Sequence, residues 1–225
     1  MNTLHKKAFG SLLLLSLAMA ALLFIAAGTL DYWQAWMFLG VYFAASLALT
    51  LYLMKKDPKL LERRMRGGPT AEKEPAQKII MTFASLGFIG LLLLPALDHR
   101  FGSSHMTPHV ALAGDALVAI GWLAIFFVFR ENSFTAATIE LAPGQRVIST
   151  GPYALVRHPM YASGAFLLVG MSLWLESYAA ALMAIVPIAI LAVRILVEEQ
   201  FLRRELKGYD AYTDRVRYRL IPFVW

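Results

Sequence analysis

SLLLLSLAMAALLFIAAGTL, residues 11–30, decides the fold. An uncharged run of this length crosses the ~30 Å hydrocarbon layer as a helix. Lys6 and Lys7 precede it, as in a cleaved secretory signal. The run is nevertheless longer than the ~7–15-residue core of such signals. A second apolar run also begins at once behind Asp31, Tyr32 and Trp33. We therefore read residues 8–28 as a first membrane span, followed by spans near 34–54, 79–97, 111–129, 159–175 and 179–197. The expected fold class is an all-α integral membrane protein with about six transmembrane helices. Composition agrees, with 59% hydrophobic residues, 16% charged residues and a mean hydropathy of +0.59.

Charge sets the expected orientation. Lys and Arg collect on the cytoplasmic side of short loops. With six spans and both termini inside, 20 of the 21 Lys and Arg residues fall on the inner face, eight of them in the 55–78 loop, and Arg100 alone falls outside. The net charge of +6 then describes loops facing anionic headgroups, with no nucleic-acid partner implied. Residues 55–77, rich in alternating charge with Gly67, Gly68, Pro69 and Pro75, read as a solvated membrane-surface loop. Tyr32, Trp33 and Trp36 read as headgroup-level anchors. The chain has no cysteine, which removes disulfides, thiolate ligands and a thiol nucleophile. His99, His105 and His109 lie in a Gly/Ser-containing segment without ligand-like regularity, so no metal site is expected.

The second half is less ordinary. After the fourth span come Arg130, Glu131 and Asn132, a Pro143-Gly144 turn, a short alternating run at 145–150 and a Gly151-Pro152 turn. Tyr153 follows, then Arg157-His158-Pro159-Met160-Tyr161 leads into the fifth span. Pro159 suits the first position of a helix, where its missing N–H costs nothing. Arg157 and His158 then stand at a helix entrance that favours an anionic group. In the last span Arg194 and Glu198 are four residues apart, so a pair between them is geometrically available. Ionisable groups at that depth raise a functional question. The tail from Gly208 to Trp225 is basic and aromatic, as a membrane-surface segment would be.

Gly151-Pro152-Tyr153, Arg157-His158-Pro159-Met160-Tyr161, Glu198-Glu199, Tyr209, Tyr212 and Arg219-Leu220-Ile221-Pro222 occur in that order. This set resembles the isoprenylcysteine carboxyl methyltransferase family and its membrane phospholipid N-methyltransferase relatives, in a compact, bacterial-type form. The resemblance covers about residues 130–225, and the first spans contribute nothing to it. Ser163 departs from the family pattern, which has Gly there. The resemblance implies two parts. Residues 1–110 hold about three N-terminal helices and the basic loop. Residues 111–225 hold a methyltransferase core with the last three spans and a C-terminal helical segment over a cofactor pocket.

It also implies S-adenosylmethionine as methyl donor and a lipophilic acceptor, either the carboxylate of an isoprenylcysteine-like molecule or the amine of a phospholipid. Tyr153, His158, Pro159, Tyr161, Glu198, Glu199, Tyr209 and Tyr212 are the expected cofactor-binding residues. Arg157, Arg194, Glu198 and Arg219 are the expected catalytic ones. For a carboxylate acceptor, an arginine among Arg157, Arg194, Arg217 and Arg219 would orient it bidentately. An amine would need a base, from Glu198, Glu199 or His158. Tyr218 reads equally as an interface anchor or a site residue. Two other classes stay open: an NADPH-dependent membrane reductase of the sterol type, and a non-catalytic membrane scaffold. The expected location is a bacterial inner membrane with both termini cytoplasmic.

Overall fold

The structure, a computed structural model, describes residues 3–102, 104 and 106–225. His105 lies outside the described residues. Nine α-helices are found among them: α1 (Thr3–Ala27), α2 (Trp33–Lys56), α3 (Pro58–Met65), α4 (Pro75–Phe101), α5 (Pro108–Glu131), α6 (Pro159–Trp174), α7 (Tyr178–Met183), α8 (Ile185–Glu205) and α9 (Tyr209–Arg215). Single 3-10 turns stand at Pro69–Ala71 and Gly151–Ala154. The described residues form no strand, and the alternating run at 145–150 joins no ladder.

Local chemistry explains the breaks. Proline opens α3, α4, α5 and α6, where a helix has no use for the first N–H. Asp57 both stops α2 and caps α3, its Oδ1 accepting from the Leu60 N–H at 2.9 Å. Gly102, with φ +63°, ends α4 in the left-handed conformation.

Five segments are long and apolar enough to cross a membrane: α1, α2, α4, α5 and the joined stretch Tyr178–Glu205. The fifth expected span, 159–175, forms α6, of 16 residues. At 1.5 Å per residue that is about 24 Å, short of the ~30 Å layer. Leu13, Leu14, Leu17 and Ile25 of α1 and Phe83 and Leu86 of α4 are exposed, as expected of a lipid-facing surface.

The main core joins α1, α2, α4, α6 and α7 through Leu23, Ala35, Leu91, Leu92, Met171 and Ala180, with Leu175 between the last two helices. Tyr32 belongs to this core and is not a headgroup anchor. It is 1% exposed, donates its hydroxyl to the Leu175 carbonyl at 2.8 Å and stacks on the His99 ring. Trp33 and Trp36 stay exposed. The 55–78 loop also differs from expectation. Leu60 and Leu61 pack under α2 against Leu53 and Phe129, while Glu72 and Gln77 are buried. A loop that follows its apolar residues inward carries neighbouring polar side chains with it.

Helices α5 and α6 pack antiparallel at a small-residue seam. A Cβ on Gly114 would stand 2.7 Å from Leu173 Cβ and 2.8 Å from the Trp174 nitrogen, and one on Gly170 would stand 2.9 Å from Val118. Close backbone approach of this kind supplies the dispersion contact that holds helices together in lipid. Gly170→Ala should therefore cost about 1–3 kcal/mol through overpacking. It should lower the thermal midpoint in detergent micelles, whereas Gly10→Ala and Gly40→Ala, whose new Cβ meets nothing within 4 Å, should leave it equal or slightly higher. Equal midpoints for all three variants would rule out the seam.

Candidate functional site

Glu199 lies near the end of α8 and is 3% exposed. Its Oε1 is 2.8 Å from Arg157 Nε and 3.2 Å from His158 Nε2, and its Oε2 accepts from Arg219 Nε at 3.0 Å. The Arg157 contact is an ion pair without hydrogen-bond alignment, since that Nε has no partner by geometry. The backbone reinforces the clamp: the Arg157 N–H donates to the Tyr218 carbonyl and the His158 N–H to the Arg219 carbonyl, both at 2.9 Å. The tail is thereby tied to the segment that opens α6.

A second network starts at Arg194. The expected pairing with Glu198 is replaced by one with Glu72, at 2.7 Å from Arg194 Nη2. Nη1 donates to Gln77 Oε1 at 3.0 Å, and Nη2 also reaches the Ala137 carbonyl at 3.1 Å. Arg194 meets Glu198 only through Tyr161. Its Nε donates to the Tyr161 oxygen at 3.0 Å, and that hydroxyl donates to Glu198 Oε2 at 2.5 Å. The phenol occupies the space between the two α8 side chains, so spacing alone could not decide the partner.

These networks frame a cavity of about 450 Å³ at the end of the bundle that carries the basic loop. That size falls in the ~300–1,000 Å³ range of small-molecule sites. Tyr153, Arg157, His158, Pro159, Tyr161, Arg194, Glu198, Tyr209 and Tyr212 all line it, while Glu199 and Arg219 stand behind its wall. The Glu198-Glu199 pair thus divides, one carboxylate facing the cavity and the other holding the clamp. Residues 132–148 cover one side. Gly151 lets this cover turn: its φ is +57°, and a Cβ there would sit 2.9 Å from the Glu131 carboxylate, which accepts from Thr150.

Helix α9 supplies aromatic walls. Tyr212 donates to the Tyr153 carbonyl at 2.8 Å. The Tyr209 hydroxyl is buried with no hydrogen-bond partner among the described residues. Burial first, then the Glu199 and Glu198 carboxylates, push the Tyr209 phenol above its usual range. Burial likewise raises Tyr153 and Tyr212. All three stay protonated near neutral pH, and Tyr209 keeps an uncommitted donor.

Sequence reasoning missed Arg64, Glu72 and Gln77. Arg64 and Glu72 sit among the alternating charges of the 55–78 loop, where nothing marks which residue turns inward. Among the described residues no group of three or more His, Asp or Glu is placed to hold a metal ion.

Fold and site together define a helical membrane protein with a charged small-molecule cavity at one end of its bundle. Residues 110–207 match the family model described as phospholipid methyltransferase. The match spans 98 of the 225 residues, so this segment is similar to a family described as methyltransferases. The chain is also similar to the nickel-cobalt-cadmium resistance protein NccN of Alcaligenes xylosoxydans xylosoxydans, at 28% identity over 101 residues. That match covers 44% of this chain and 47% of the relative, about half the length of each.

The Glu72–Arg194 pair gives a direct test of the site's support. Removing one partner of a buried ion pair costs about 3–5 kcal/mol, because the other charge is left uncompensated. Glu72→Ala should therefore lower the thermal midpoint sharply. The double variant Glu72→Leu with Arg194→Met should recover much of the loss. A Glu72→Ala protein as stable as the parent would show that the pair carries no such role.

Proposed function

We propose that the chain is an integral membrane methyltransferase that takes S-adenosylmethionine as donor and methylates a lipophilic acceptor, a carboxylate or an amine. The observation that carries this reading is that Glu198 and Tyr209, whose hydroxyl is uncommitted, line one cavity of about 450 Å³, most of whose lining falls in or next to the segment matching the methyltransferase family. The donor set suits the ligand. An amino-acid ammonium or ribose hydroxyls need an acceptor, which Glu198 supplies. The ligand's carboxylate needs a cation, and Arg157 at the entrance of α6 supplies one beside the helix N-terminus. Tyr153, Tyr209 and Tyr212 offer aromatic walls to a base and to a sulfonium.

When bound, adenosylmethionine supplies an electrophilic methyl group on sulfur. The chain's own residues bind, orient and exclude water, and these effects account for most of the rate in an in-line displacement that partly neutralises two charges. In this reading Arg194 positions Glu198 by way of Tyr161, and Glu199 positions Arg157 and His158 while Arg219 fastens the tail. A carboxylate acceptor needs no base. An amine acceptor would give its proton to Glu198, the carboxylate that lines the cavity. The basic face, which holds the cavity, is cytoplasmic in this reading, consistent with the charge asymmetry.

Binding measurements on the purified protein test the proposal. Adenosylmethionine should bind saturably and NADPH should not; the reverse would identify a reductase, and binding of neither a scaffold. Glu198→Ala should weaken adenosylmethionine by roughly 10- to 100-fold, the loss of one charge-assisted hydrogen bond. His158→Ala should do so as well, with monodispersity retained in both. Wild-type affinity in both variants would refute the assigned residues.

A further inference from the structure

A second cavity of about 480 Å³ lies among α1, α2, α3, α4, α5 and α6. Its wall is mostly apolar, with Leu12, Leu49, Leu53, Trp122, Leu167 and Met171 contributing, and with Ser46 and Thr50 as small polar members. It shares Arg64, Ile125, Met160 and Gly164 with the polar cavity, so the two spaces meet along a common wall. Arg64 is the charged member of that wall.

The arginines around the polar cavity are not equivalent. Arg194 is paired with Glu72 and Arg157 with Glu199. Arg146 is exposed on the cover. Arg64 has no carboxylate within 4 Å among the described residues. Its Nη1 donates to the Ala136 carbonyl at 2.9 Å, and its guanidinium lies 5.3 Å from the centre of the Phe129 ring. Those contacts fix the group and leave its charge uncompensated. A guanidinium enclosed between a polar and an apolar space, with donors to spare, matches an anion attached to an apolar chain.

We infer that Arg64 seats the anionic headgroup of an amphiphilic acceptor whose apolar chain fills the second cavity. The inference rests on the reading of the polar cavity as the donor site. It moves acceptor recognition from Arg157, Arg194 and Arg219 to a residue outside the family-matched segment. The shared chemistry is an anionic oxygen group next to a single apolar chain, found in a free carboxylate and in a phosphate-bearing lipid head alike. Held at the shared wall, such a headgroup lies beside the polar cavity while its chain stays out of water.

Trp122 in the wall of the second cavity provides the probe. Purified full-length protein in detergent is titrated with dibromostearate, with the dibrominated lysophosphatidate and with the dibrominated stearyl alcohol, and quenching of tryptophan fluorescence is followed. At least one anionic chain should bind ~tenfold or more tightly than the alcohol, as a charge-assisted contact demands. Which anion is preferred separates the carboxylate from the phosphate source. Trp122→Phe should remove the quenching. Arg64→Gln should abolish the preference for the anion while leaving the alcohol's affinity unchanged, and Arg64→Lys should retain part of it.

No preference in the wild-type protein, or a preference that survives Arg64→Gln, overturns the inference. So does loss of adenosylmethionine binding in Arg64→Gln with chain selectivity intact, because Arg64 would then serve the donor. Wild-type protein that selects the anionic chain yet fails to bind adenosylmethionine keeps this site and sinks methyl transfer.

Discussion

One carboxylate, that of Glu199, organises the end of the bundle where the cavity lies. Taking an ion of this kind out of water costs several kcal/mol unless partners surround it. Here the partners are Arg157, His158 and Arg219, brought by the approach to α6 and by the tail. Satisfying the charge therefore requires that the tail return to the start of α6, and two backbone hydrogen bonds complete that return. Once it is made, α9 is held beside the cavity and Tyr209 and Tyr212 become its walls. A single buried charge thus couples three stretches of chain that are distant in sequence.

The long helices were legible because hydrophobic length is a direct signal of a membrane span. Helix α6 was legible too, its expected span 159–175 stopping one residue beyond Trp174, although its 16 residues are fewer than those of the five longer segments. Leu175 ends it, and the Ser177 hydroxyl caps the next helix at the Ala180 N–H. Much of the cavity wall was also legible, since Tyr153, His158, Tyr161, Glu198, Tyr209 and Tyr212 belong to recognisable motifs. Side-chain direction was not legible. Glu198 and Glu199 are adjacent, and the helical turn of about 100° between neighbours sends one to the cavity and the other to the clamp. Spacing alone likewise could not show that Tyr161 would separate Arg194 from Glu198.

The hidden part of the site comes from the first half of the chain. Glu72 and Gln77 complete the hydrogen bonding of Arg194, and Arg64 closes the wall between the cavities. None of the three lies within residues 110–207. The N-terminal helices are therefore part of the cavity as well as a membrane anchor. The family-matched segment alone would leave Arg194 buried without its carboxylate, an arrangement that costs more than the pair itself contributes.

Charge accounting separates the two cavity arginines. Glu199 stands between two guanidiniums, Arg157 and Arg219, so one positive charge remains at the α6 entrance even with the clamp closed. Arg64 contributes a second uncompensated positive charge at the wall shared with the apolar cavity. Glu198, the carboxylate of the cavity wall, is hydrogen-bonded to Tyr161 and forms no ion pair with either cation among the described residues. In the proposed reading the donor's carboxylate would face Arg157 and the acceptor's anionic head Arg64. The positions differ in kind as well: Arg157 faces the polar cavity alone, while Arg64 faces both. A water-soluble donor fits the first environment and an amphiphile fits the second.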